Sequence, residues 1–172
     1  MFELIIGGSG SGKSEYAEKR AAELCEGGGP LLYIATMKSD GEAARNRIQR
    51  HRRMRSGKGF RTIEKPTDLM SLPVPGNATV LLECMSNLLA NEMFDNGGNY
   101  LTRIISGIER LLSECRNLVL VSNDIFSDGI IYDGETEEYK TALAELNRFC
   151  AEKADKVTEV TSWIPNIIKC QG

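Results

Sequence analysis

Gly7-Gly8-Ser9-Gly10-Ser11-Gly12-Lys13-Ser14 constrains this chain more than any other stretch. It follows the short apolar run Phe2–Ile6 and precedes a segment with helical spacing, Glu15–Cys25. The reading is strand, glycine-rich loop, helix, with the spacing G-x-x-x-x-G-K-S. Glycines let the backbone turn tightly enough to bring several N–H groups to one point. The loop ends at a helix N-terminus, where unpaired N–H groups and the helix dipole favour an anion. A lysine and a hydroxyl at the end of that loop suit a nucleoside triphosphate: Lys13 for the β- and γ-phosphates, Ser14 for Mg²⁺.

The rest of the chain alternates in the same way. Leu31–Ala35, Ala78–Leu82, Asn117–Ser122 and Val157–Thr161 are short apolar runs of the kind buried on both faces of a parallel sheet. Phe60–Glu64 reads as a further short strand, and Ile167–Lys169 as a short last one. Between them, Glu42–Arg55, Cys84–Phe94, Tyr100–Ser113 and Glu137–Ala154 have helical composition or spacing. Pro66–Asn77 is turn-rich, with a helical turn at Thr67–Ser71, and Phe126–Thr136 reads as a polar loop. Strands alternating with helices predict an α/β fold with a mainly parallel sheet flanked by helices, and 172 residues suit one domain, 1–172.

Composition removes several classes. The net charge is −3, which gives no reason to expect nucleic acid. No apolar stretch is long enough for a membrane span, and with Met1 leading directly into the first strand no signal peptide is expected. Cys25, Cys84, Cys115, Cys150 and Cys170 are odd in number and irregular in spacing. Reduced thiols and a cytoplasmic location are expected rather than a disulfide framework or zinc.

Two further features carry chemistry. A P-loop needs an acidic group near its metal, and the strand ending Val80-Leu81-Leu82-Glu83 offers Glu83; a surface glutamate is the alternative. Asn87 and Asn91 follow at i+4 and i+8, and Asn123 and Asp124 end the fourth apolar strand, as ligand contacts or as turn residues. The segment Glu42–Arg55 is densely basic, and Arg47, His51 and Arg55 recur at i, i+4 and i+8. His51 is the only histidine. It is either a solvated residue on a basic helix or a nucleophile. Flanking arginines lower an imidazole pKa and keep a neutral nitrogen available to attack phosphorus. RNA binding by the same helix is a third reading, weakened by overall charge and the lack of interleaved aromatics.

Together, GGSGSGKS, the Tyr33-Ile34-Ala35-Thr36 strand end, RIQRHRRMR with His51, Phe60-Arg61-Thr62-Ile63-Glu64, Leu81-Leu82-Glu83-Cys84 and Val121-Ser122-Asn123-Asp124 resemble the bifunctional adenosylcobinamide kinase/adenosylcobinamide-phosphate guanylyltransferase family of cobalamin biosynthesis. The resemblance runs over nearly the whole chain in the same order. It implies a P-loop NTPase of RecA-like fold that is typically a homotrimer. It implies phosphorylation of adenosylcobinamide with ATP or GTP. GMP then passes from GTP through a guanylylated histidine to the phosphate, giving adenosylcobinamide-GDP. That histidine matches His51. Nucleotide-contacting positions match Gly7, Gly8, Ser9, Gly10, Ser11, Gly12, Lys13 and Ser14, then Ala35, Thr36 and Met37, then Arg52, Arg53, Met54 and Arg55, and lastly Glu64 and Glu83. Catalysis falls to His51 and Lys13, and Mg²⁺ to Ser14 and Glu83.

The chain departs from the family pattern in places. Ser56 follows Arg55 where the family usually has proline, Phe60 stands in a tryptophan's place, and Asn123-Asp124-Ile125-Phe126 replaces an Asn-Glu-Val-Gly segment. The Ser127–Thr136 loop, expected to help hold the corrinoid, lacks the family's proline pattern. A P-loop kinase without the guanylyltransferase step and a nucleotide-dependent binding module are the competing functions. The basic helix is expected to swing on Gly41 and Ser56–Gly59.

Overall fold

The structure, a computed structural model, describes residues 1–38, 41–124 and 134–171, with the side chains of residues 43, 44, 47, 51 and 54 outside the description. Its frame is a seven-stranded sheet. In chain order the elements are β1 (Phe2–Gly7), α1 (Lys13–Leu24), β2 (Leu31–Ala35), α2 (Glu42–Arg55), β3 (Arg61–Glu64), β4 (Thr79–Glu83), α3 (Met85–Asn96), α4 (Tyr100–Glu114), β5 (Asn117–Asn123), α5 (Gly134–Lys153), β6 (Lys156–Thr161) and β7 (Ile164–Cys170). The strand order is β3-β2-β4-β5-β1-β6-β7, parallel throughout except for the β6–β7 pair.

The apolar runs make the strands because both faces are covered. On one face Leu4, Leu32, Ile34, Val80, Leu82, Leu118 and Leu120 pack with Leu88, Ile104, Ile108, Leu143 and Leu146 from α3, α4 and α5. On the other, Ile5, Tyr33, Leu81, Val119 and Val121 pack with Ala17 and Ala21 of α1. Successive side chains of one strand thus serve opposite layers, as the period of two requires. Complete burial of a leucine or isoleucine contributes about 1.5–3 kcal/mol, so the central strands supply most of the driving force. Among the described side chains of α2, only Arg55 is buried and Ile48 half-buried. Among these described side chains, the closest packing is that of Arg55 at the carboxyl end of the helix.

The register sets the site. Ala35 pairs with Glu64 on one side and with Glu83 on the other, Glu83 pairs with Val121, and Gly7 pairs with Asn123. Glu64, Ala35, Glu83, Asn123 and Gly7 therefore stand along one carboxyl edge of the sheet, where parallel α/β folds bind ligands.

Three expectations are corrected. The first helix begins at Lys13, two residues early, because the motif's lysine and serine form its first turn. The last strand is a full seven residues, Ile164–Cys170, in an antiparallel hairpin with β6. Its two-residue turn is Ser162-Trp163, both at positive φ (51° and 61°), a conformation that asparagine and glycine normally signal. Pro165 is tolerated because β7 is an edge strand. The long carboxyl-terminal helix begins at Gly134 rather than Glu137, so the expected loop ends sooner; residues 126–133 of that loop, and Ile125 before it, lie outside the described residues. All five cysteines are unpaired. Among the described residues no helix is long and apolar enough to cross a membrane.

Candidate active site

The glycine loop closes over the carboxyl end of β1 with no room for side chains at critical positions. A Cβ on Gly7 would lie 2.5 Å from the Val160 carbonyl oxygen and 2.7 Å from Ser11 Oγ. Gly10 and Gly12 take φ of +72° and +92°, which L side chains rarely adopt. Gly12 caps α1, and Tyr16 N–H donates to its carbonyl at 3.1 Å. Inside this turn Lys13 Nζ donates to the Gly8 carbonyl at 2.9 Å, so the lysine spans the loop it belongs to. Lys13 is buried, and that burial lowers its ammonium pKa below the ordinary lysine value, opposed by the charge of Glu83.

Opposite the lysine stands Glu83. Ser14 Oγ donates to its Oε1 at 2.5 Å, and Tyr33 Oη donates to its Oε2 at 2.8 Å. Each carboxylate oxygen is thus fixed by a different strand or helix. Burial, and then the negative charge of Glu83, push the Tyr33 phenol pKa upward, so it stays protonated as a donor. A serine hydroxyl beside a carboxylate is a hard oxygen pair of the kind Mg²⁺ takes when substrate phosphates and water complete its shell. Among the described residues there is no group of three or more His, Cys, Asp or Glu that holds a metal by itself.

The basic helix enters through Arg55. Its guanidinium carbon lies 3.4 Å above the centroid of the Tyr33 ring, and Phe60 meets that ring edge-on at 6.1 Å. Arg55 is only 6% exposed, and its Nε and Nη1 have no hydrogen-bond partner among the described residues. The tyrosine face offsets part of the cost of desolvating the guanidinium, while the donors on Nε and Nη1 remain to meet an anion. A cavity of 240 Å³ joins these parts, lined among others by Gly10, Lys13, Ser14, Tyr33, Glu83 and Arg55, with Ile48 and Met37 on its apolar side.

The expected residues divide as follows. Ser9, Gly10, Lys13, Ser14, Ala35, Met37, Arg55, Glu83, Asn87 and Asn123 share this cavity. Thr36 does not line it. It is buried, its Oγ1 accepts from Cys84 N–H at 2.7 Å and donates to the Cys84 carbonyl at 2.8 Å, and so it ties the end of β2 to the end of β4. Asn91 is likewise structural: its amide donates to the Thr36 and Pro66 carbonyls at 2.8 and 2.9 Å. Arg52 and Glu64 form an ion pair with each other and border a separate open groove that Arg55, Gly57 and Phe60 also line. Arg53 is exposed on α2. The side chains of His51, Arg47 and Met54 lie outside the described residues, although the helix backbone that carries them is described. Tyr33 belongs to the strand-end motif Tyr33-Ile34-Ala35-Thr36, but its site role is not readable from sequence, because a tyrosine inside Leu31–Ala35 reads as core; the signal is a polar tip in a strand buried on both faces.

Comparison with known proteins gives one consistent result. Residues 3–168 match a family described as cobinamide kinase / cobinamide phosphate guanyltransferase (CobU). The chain is 29% identical over 187 residues to the bifunctional adenosylcobalamin biosynthesis protein CobU of Escherichia coli (strain K12), covering 98% of this chain and 100% of that protein. It is 32% identical over 179 residues to the bifunctional adenosylcobalamin biosynthesis protein CobP of Pseudomonas aeruginosa, covering 98% of each. In structure it is similar to a solved ATPase domain, with a TM-score of 0.54 over 99% of this chain and 77% of that one. At 12% identity that likeness concerns the RecA-like fold alone.

Proposed function

The chain belongs to the cobinamide kinase/cobinamide phosphate guanyltransferase family, and we propose that a single cavity serves both reactions of this bifunctional enzyme of adenosylcobalamin biosynthesis. The observation that carries the proposal is that the helix bearing residue 51 supplies Ile48 and Arg55 to the same cavity as Lys13, Ser14 and Glu83.

In the first reaction, the triphosphate of ATP or GTP lies along Gly7–Ser14. The backbone N–H groups hold the β- and γ-phosphates, and Lys13 leaves the Gly8 carbonyl to pair with them. Ser14 and Glu83 would hold Mg²⁺, which supplies charge neutralisation at the phosphates when bound. The aminopropanol hydroxyl of adenosylcobinamide attacks the γ-phosphorus, the bond to the β-phosphate oxygen breaks, and the nucleoside diphosphate leaves.

In the second reaction, a neutral His51 nitrogen attacks the α-phosphorus of GTP. A P–N bond forms, the bond from the α-phosphorus to the bridging oxygen breaks, and pyrophosphate leaves. Arg55, whose Nε and Nη1 have no hydrogen-bond partner among the described residues, and its neighbours Arg52 and Arg53 take the charge that develops on the phosphates. An oxygen of the corrinoid phosphate then displaces the histidine to give adenosylcobinamide-GDP. The helix reaches this position by turning on Gly41, Gly57 and Gly59, all at positive φ. The working unit is a cytoplasmic homotrimer.

Product analysis tests the sequence of steps. Adenosylcobinamide with GTP and Mg²⁺ should give first the corrinoid phosphate and then the GDP-linked corrinoid with one pyrophosphate each. Accumulation of corrinoid phosphate without pyrophosphate would leave a kinase alone. Glu83→Gln keeps the hydrogen-bonding shape and removes the charge. It should lower kinase turnover by about a hundredfold and raise the Mg²⁺ concentration needed for half-maximal rate. An unchanged Mg²⁺ titration would remove Glu83 from the metal side.

A further inference from the structure

The hairpin between β6 and β7 does something that its sheet position does not require. At its tip Trp163 N–H donates to the Ser11 carbonyl of the glycine loop at 2.8 Å. Its indole lies so close to the loop that a Cβ on Gly12 would fall 2.5 Å from Trp163 Cδ1, 2.7 Å from Cγ and 2.9 Å from Nε1. The residue adopts φ +61°, an outlier for so bulky a side chain. Strain of this kind persists where the surrounding structure over-determines it, and it clusters at ligand clamps. Despite the contact with Gly12, the residue is 67% exposed, so a large aromatic surface is left facing water beside the motif.

That surface borders a 370 Å³ recess whose other walls include Gly12, Glu15, Tyr16, Lys19 and Lys58. The recess runs along α1 from Gly12 to Ala22, starting beside the glycine loop. A nucleotide whose γ-phosphate sits at Lys13 and Ser14 projects its nucleoside past the start of that helix. We propose that Trp163 is the platform on which the purine base of the phosphoryl donor stacks, with the aromatic edge of Tyr16 and the stem of Lys19 along the recess. Stacking is indifferent to the base's hydrogen-bonding edge, because every purine has a π-face. The platform therefore accepts adenine and guanine alike, and donor choice between ATP and GTP is weak on this account. The inference rests on the reading of Gly7–Ser14 as the triphosphate cradle.

Trp163 is the chain's only tryptophan, so its fluorescence reports on this position alone. The experiment titrates the full-length protein with a non-hydrolysable ATP analogue, its GTP counterpart and inorganic tripolyphosphate, following fluorescence and, independently, heat. Both nucleotides should quench the indole, and tripolyphosphate should bind without quenching. Trp163→Gly suits the positive φ and should fold at least as stably as the parent. It should weaken both nucleotides by about tenfold, the order of one stacked base, leave tripolyphosphate unchanged, and raise the KM for ATP with little change in kcat. Trp163→Phe should recover part of the loss. Lys13-dependent nucleotide binding that is unaffected by Trp163→Gly would overturn the platform and leave the cradle standing. A change in oligomeric mass in place of a change in affinity would also overturn it, assigning the indole, with exposed Ile164, Ile167 and Ile168, to a subunit contact. Nucleotide and tripolyphosphate binding independent of Lys13 would overturn the cradle and the platform together.

Discussion

His51→Ala is expected to abolish GMP transfer while leaving phosphorylation of adenosylcobinamide within a few-fold of the parent. The separation follows from the division of the site. In the proposed mechanism phosphoryl transfer from the γ-position uses the glycine loop, Lys13, Ser14 and Glu83, which are held by β1, α1 and β4 independently of α2. Transfer of the α-phosphoryl group needs a nucleophile, and removing an enzyme's nucleophile costs on the order of 10³-fold or more. Arg55 and Ile48, the inward-facing members among the described side chains of α2, are untouched by the substitution. Assay of pyrophosphate release and of corrinoid phosphate in the same reaction reads both steps. Equal loss of the two activities would mean that residue 51 serves the fold or the kinase rather than the transfer.

Lys13→Met should suppress both reactions, by at least about a hundredfold for the kinase, because one charge serves the phosphates in each. The same substitution is expected to leave stability unchanged or raise it. Burial lowers the Lys13 pKa in the folded protein below 10.5. The unfolded chain then binds more protons between the folded and unfolded values, so stability rises with pH through that window. The charged form is thus a net cost to folding at neutral pH, which the methionine removes while keeping the buried stem. Thermal unfolding of parent and variant at neutral pH, alongside the kinase assay, checks both halves. A variant that loses stability together with activity would make Lys13 a structural residue.

Much of this arrangement was legible in the sequence. A parallel sheet buried on both faces writes its strands as apolar runs, so Leu31–Ala35, Ala78–Leu82 and Asn117–Ser122 stood out. Their carboxyl ends named Ala35, Glu83 and Asn123 as edge residues. The glycine loop was legible because its chemistry demands a fixed spacing. What stayed hidden depends on tertiary contact. Six arginines lie between Arg45 and Arg55, and nothing in their order marks Arg55 as the one that turns inward onto Tyr33. Thr36 and Asn91 are polar residues near a strand end, indistinguishable in sequence from ligand contacts, yet both bond to backbone. The β6–β7 hairpin was missed because Ser162-Trp163 carries none of the usual residues of a tight turn. The platform it presents to Gly12 was therefore invisible as well.

In the proposed mechanism one chain phosphorylates the corrinoid and also captures GMP on a histidine beside its phosphate loop. The most direct measurement incubates the parent, His51→Ala and Lys13→Met with Mg²⁺ and GTP labelled in the α-phosphate. The bound label is then tested for stability in acid and alkali. The expected result is one acid-labile, alkali-stable label per active site in the parent, none in His51→Ala and little in Lys13→Met. Absence of label from the parent, or equal labelling of His51→Ala, would contradict it.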